Sequence, residues 1–120
     1  MALMTPELFE ASLKDRKPRL FMNGERVGNI LKNKNTRTVV ESNKASYAWA
    51  LDPEYKDIMS CYSPLIDDVV NRYTHVSTST DDLVKKAEAG TFTAEMLGTC
   101  IYRCVGFDSF HALASTTWEM

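Results

Sequence analysis

The chain has 120 residues, 44% of them hydrophobic, and a formal net charge of −2. Those values describe one modest globular domain and argue against a nucleic-acid binder, because the basic residues are scattered. The nearest basic cluster, Lys32 to Arg37, reads as a solvated loop.

Thr5-Pro6-Glu7 opens a helix, with Thr as N-cap, Pro at the first helical position and Glu against the positive end of the dipole. Leu8, Phe9, Ser12 and Leu13 form its stripe, and Pro18 marks its end. Asn23-Gly24 between two short apolar runs predicts a β-hairpin, since both residues tolerate positive φ. Thr38 to Leu51 has mostly helical spacing, and Asp52-Pro53-Glu54 predicts a second helical start running to about Cys61. Residues 63–78 are expected to be irregular or partly extended.

Ser79 and Asp82 stand at capping-box spacing, so another helix is expected from Thr80 to near Gly90. A long final helix is then expected from Thr93. Its stripe takes in Met96, Leu97, Cys100, Ile101, Cys104, Val105, Phe107, Phe110, His111 and Ala114. Gly98 and Gly106 within it suggest a close neighbour. The expected fold class is mainly α with one small β-hairpin.

No run approaches the ~20 apolar residues that span a bilayer. The N-terminus lacks the basic start and apolar core of a secretory signal. Three cysteines without a framework spacing suit a reducing compartment, so a cytoplasmic location is expected. The chain stops directly after the amphipathic cysteine run, without a capping glycine or polar tail, and so reads as cut off from something longer.

Cys100 and Cys104 carry the most chemistry. On a helix, an i, i+4 pair shares one face and aims its sulfurs poorly for a disulfide. Two such thiolates suit one soft metal centre, such as an iron–sulfur cluster or zinc. The alternative is that they simply pack, as buried cysteines often do. His111, two turns beyond Cys104 and about 10 Å along the axis, is too far to join both cysteines on one zinc and reads as a packed or hydrogen-bonded residue. His75 reads as a loop histidine or one facing a pocket, and Cys61 as core. No Ser-His-Asp or Cys-His nucleophile signature and no phosphate loop is identifiable.

Asn23-Gly24-Glu25-Arg26-Val27, Asp52-Pro53-Glu54-Tyr55 and Ser79-Thr80-Asp81-Asp82-Leu83 resemble the N-terminal region of the 4-hydroxyphenylacetate 3-hydroxylase superfamily. The run from Thr99 through Cys100, Arg103, Cys104 and Gly106 to Phe110, with Ser115-Thr116-Thr117, is similar to one branch of it, the 4-hydroxybutyryl-CoA dehydratases/vinylacetyl-CoA Δ-isomerases. The resemblance covers essentially the whole chain. It implies that residues 1–120 are the N-terminal helical domain of an acyl-CoA dehydrogenase-like fold, truncated from a longer FAD enzyme that acts on an acyl-CoA and assembles as a tetramer.

It also implies that Cys100 and Cys104 are two ligands of a four-iron, four-sulfur cluster completed by a histidine and a cysteine outside this chain. An iron with a non-cysteine ligand is then able to act as a Lewis acid on the substrate hydroxyl. Tyr102 departs from the branch, which carries Gln there. A catalytic role for Tyr102 and a packing role both stand. Two alternatives remain open: a flavin-dependent aromatic hydroxylase relative, or a metal-free helical interaction domain.

Overall fold

A computed structural model describes residues 3–16, 19–100 and 103–118. Five α-helices, two β-hairpins and one 3-10 turn follow one another, and the main layer is helical.

Helix α1 (Pro6–Arg16) begins as the sequence predicts, with the Thr5 hydroxyl accepting from the Leu8 N–H at 3.2 Å. Strands β1 (Leu20–Met22) and β2 (Glu25–Val27) pair antiparallel across Asn23 and Gly24, whose φ angles of 52° and 82° are the left-handed pair that a two-residue hairpin turn needs. Helix α2 (Lys34–Trp49) starts earlier than its apolar spacing suggests. The Asn33 side chain accepts from the N–H groups of Asn35 and Thr36, so the expected solvated loop is in part a capped first turn. Helices α1 and α2 pack together, with Phe9 against Tyr47 at 5.0 Å between ring centres and Glu10 bridging to Lys44 at 2.9 Å.

The Asp52-Pro53 start yields a turn before a helix. Asp52 caps the Glu54 N–H at 2.9 Å, and α3 covers only Lys56–Met59. A second hairpin, beyond the one expected, follows directly: β3 (Ser60–Ser63) pairs with β4 (Asp68–Asn71) in the register Cys61 opposite Val70 and Tyr62 opposite Val69. Its Asp67 takes a φ of 52°, a left-handed turn conformation that Asp tolerates better than most residues. Cys61 is half-buried on β3 rather than fully in the core, and that burial pushes its thiol up.

A 3-10 turn (Arg72–Thr74) carries the chain back under the helices. Tyr73 joins Ala50, Met59 and Ala89 in the buried centre, and Leu3, Trp49, Ile58 and Phe92 pack around it. Arg72 is also buried, and it donates from Nε to the Ile58 carbonyl (2.8 Å) and from Nη2 to those of Asp57 (3.0 Å) and Ser60 (2.8 Å). These bonds satisfy carbonyls at the end of α3, where no further helical turn is present to do so.

Helix α4 (Thr80–Leu97) has the full Ser79/Asp82 capping box. It runs through Gly90 and Thr93, where the sequence reading had one helix end and the next begin. Thr91 and Thr93 do not cap there. Their hydroxyls bond back to the carbonyls of Ala87 (3.2 Å) and Ala89 (2.8 Å), a use of Thr that a helix interior permits. The helix stops at Gly98, whose φ of 67° gives a left-handed C-cap. A Cβ at Gly98 or Gly106 meets nothing within 4 Å, so neither glycine marks the close neighbour that was expected. Helix α5 (Arg103–Thr117) follows.

Candidate metal centre

The expectation of one long helix carrying both cysteines is corrected. Gly98 ends α4 two residues before Cys100, so Cys100 stands on the connection outside that helix while Cys104 lies within α5. The i, i+4 argument for a shared face therefore lapses, because it holds only within a continuous helix. Tyr102 lies outside the described residues, as does the side chain of Cys104.

Cys100 is exposed and takes part in no disulfide. Its chemistry suits a soft metal, to which it binds as thiolate. Among the described residues no cluster of three or more His, Cys, Asp or Glu side chains is placed to hold a metal ion. Cys100 offers a sulfur donor of the kind an iron–sulfur cluster takes.

Below this connection lies a polar group that spacing along the chain does not reveal. The His111 ring, on α5, accepts at Nε2 from the Ser77 N–H at 2.7 Å. Its Nδ1 lies 3.1 Å from Lys86 Nζ on α4, and Lys86 also reaches Asp108 Oδ1 at 2.5 Å. Accepting a backbone N–H requires an unprotonated Nε2. Burial, and then the Lys86 ammonium, both push the ring's proton affinity down. The expectation that His111 is hydrogen-bonded rather than a shared zinc ligand agrees with this arrangement.

His75 is a loop residue as expected, and a buried one, with its Nε2 3.4 Å from Asp82 Oδ1. Its Nδ1 is buried without a hydrogen-bond partner. Asp82 Oδ2 accepts from the Thr78 N–H (2.9 Å), the Thr78 hydroxyl (3.1 Å) and the Ser79 N–H (3.0 Å). Burial pushes this carboxyl up, but the bonds from Thr78, Ser79 and His75 outweigh it and bring the pKa down to about 2. Residues 75–82 are thus a tightly bonded corner between the 3-10 turn and α4. Ser79 and Asp82 were legible as a cap; Lys86, Asp108 and the Ser77 amide were not, since residues 22 and 34 positions apart leave no periodic trace.

No described helix is long and apolar enough to cross a membrane. The chain is similar to 4-hydroxybutyryl-CoA dehydratase/vinylacetyl-CoA-Delta-isomerase of Clostridium aminobutyricum, at 36% identity over 98% of this chain and 24% of that protein. The fold is similar to that of an oxygen-tolerant archaeal 4-hydroxybutyryl-CoA dehydratase from N. maritimus, with a TM-score of 0.88 and 28% identity over 98% of this chain and 23% of that one. The chain therefore spans about a quarter of the length of these relatives. The family model described as 4-hydroxyphenylacetate 3-hydroxylase N terminal matches residues 5–120, and the chain belongs to that family.

Proposed function

We propose that this chain is the N-terminal domain of a flavin and iron–sulfur enzyme that dehydrates 4-hydroxybutyryl-CoA to crotonyl-CoA and isomerises vinylacetyl-CoA. Cys100 and Cys104 are two ligands of its four-iron, four-sulfur cluster. The observation that carries this reading is the 36% identity to a dehydratase/isomerase across 98% of the chain. The exposure of Cys100 on a connection, rather than in a packed core, supports ligation over simple packing.

When bound, the cluster supplies a Lewis-acidic iron and FAD supplies an electron acceptor. The part of this chain is to hold and orient. Cys100 and Cys104 bind as thiolates, so each loses its proton on ligation. Tyr102, between them in sequence, is the catalytic residue in this reading, offering a hydroxyl that donates or accepts where Gln would offer an amide. The remaining cluster ligands and most of the FAD and acyl-CoA contacts belong to the other three quarters of the enzyme. In this reading the whole protein has an acyl-CoA dehydrogenase-like fold, forms a homotetramer and is cytoplasmic, and the 120-residue chain by itself is inactive.

The test uses the full-length enzyme. Cys100→Ala and Cys104→Ala are each expected to lower iron content and nearly abolish dehydration. Full iron and full activity in either variant would make the pair structural. The family's hydroxylase description favours one second reading, a flavin-dependent aromatic hydroxylase without a cluster. It predicts iron-free protein and oxygen-dependent turnover of a phenol.

A further inference from the structure

The geometry points to His111 as a positioning residue that fastens the Cys104-bearing helix to the body of the domain through Ser77, beside the Lys86–Asp108 pair on the same helix. The inference rests on the cluster reading for its consequence, although the fastening itself does not.

Of the α5 side chains that the structure describes, only His111 and Ala114 are withdrawn from solvent at all, whereas Phe110 and Leu113 are 47% and 60% exposed. An amphipathic helix is ordinarily seated by an apolar stripe, and of the described stripe residues Phe110 and Leu113 remain in large part exposed. The observed ties are polar. His111 accepts from Ser77 N–H at 2.7 Å, in the segment that follows the 3-10 turn against which α5 packs. Lys86, on the neighbouring α4 and largely buried, pairs with Asp108, which lies one turn before His111 on the same face of α5.

The segment that His111 grips is itself rigidly built. Thr78 and Ser79, the next two residues, are bonded to Asp82 through the capping box, and His75 lies buried two residues before Ser77. A hydrogen bond to a fixed backbone N–H sets both the height and the rotation of the helix that makes it. Cys104 lies seven residues before His111, two turns and about 10 Å along the same helix. A rotation of α5 about its axis would move the ligand position by several ångströms, and metal ligands must be held far more closely than that.

Two measurements decide it. In the 120-residue chain, His111→Leu is expected to speed amide exchange at Ser77 and across residues 103–117 by at least tenfold. His111→Gln, whose side-chain oxygen is able to accept the Ser77 N–H, is expected to retain most of the protection. In the full-length enzyme, H111L is expected to lose half or more of the iron per subunit or to change the cluster's electron paramagnetic resonance spectrum, while H111Q restores both.

Unchanged Ser77 exchange in H111L would overturn the fastening. Faster exchange with unaltered iron and spectrum would overturn the positioning role. A wild-type enzyme without iron would overturn the cluster reading and the positioning role with it, and the exchange result would then judge the fastening alone. Should H111L fail to fold, Lys86→Met carries the test, since it releases the other tie. It is expected to raise α5 exchange and shift the spectrum by a smaller amount, and wild-type behaviour in both would overturn the proposal.

Discussion

The Tyr73 hydroxyl lies 3.0 Å from Thr93 Oγ1, and the Thr93 hydroxyl in turn donates to the Ala89 carbonyl at 2.8 Å. All three residues are buried, so this short chain of bonds ties the 3-10 turn to the middle of α4 away from water. A buried hydroxyl gains when it is satisfied and costs more than it gains when its partner is removed. Tyr73→Phe is therefore expected to destabilise the fold by about 1 kcal/mol, and Thr93→Val by about 1 kcal/mol, since the Tyr73 hydroxyl keeps the Ala89 carbonyl at 3.2 Å as its acceptor. Since the two share one bond, the double variant should cost less than the sum of the singles. Additive losses in denaturant unfolding would mean that the bond contributes nothing.

Arg72 offers a sharper case. Its guanidinium is buried and serves three carbonyls, those of Asp57, Ile58 and Ser60, where α3 gives way to β3. Arg72→Met keeps much of the side-chain volume and leaves those acceptors without their donor, at an expected cost of about 2–4 kcal/mol. Arg72→Lys retains the charge but not the planar fork, and should recover only part of that loss. If R72K and wild type unfold at the same denaturant concentration, the fork geometry does not matter.

These two residues also show where sequence reading stops. Local signals were legible wherever the cause is local: Thr5 before Pro6, Asn23-Gly24 with its paired positive φ angles, and the Ser79/Asp82 capping box all appear as expected. The second hairpin was not, because Ser60–Asn71 lacks a Gly-containing turn and its strands are only four residues each. Arg72 and Lys86 act on partners 12 to 22 residues away, and nothing in the periodicity of a single strand or helix encodes that. The helix end at Gly98 was missed for the opposite reason. The apolar pattern runs on past Gly98, and a glycine within a helical pattern reads equally as interior or as cap.

The acid limb of stability should be set in part by Asp82. Its carboxyl titrates near pH 2 in the folded chain, against an ordinary value of 3.8, so the folded state favours the carboxylate. A group depressed in this way contributes its stability at pH values above about 4 and loses it as the pH falls through about 2. The shift corresponds to something on the order of 2 kcal/mol at neutral pH. Asp82→Asn is expected to lower stability at pH 7 and to flatten its dependence between about pH 4 and 2. An unchanged slope over that interval in D82N would show that other carboxyl groups set the acid limb.

Gly98 decides where α4 ends and therefore where Cys100 stands. Its φ of 67° lies in the left-handed region that a side chain disfavours, and no atom waits within 4 Å of an added Cβ. The cost of Gly98→Ala should then be conformational alone, about 1 kcal/mol, with no steric addition. Gly98→Asn should cost less, because Asn enters the left-handed region more readily. The alanine variant has a second way to relieve its strain, which is to continue α4 into Thr99 and Cys100. That outcome would raise helix content by circular dichroism and move Cys100 off the connection, so in the full-length enzyme G98A should lose iron where G98N keeps it. Equal stability and equal iron in G98A and wild type would mean that the left-handed cap does not govern the placement of Cys100.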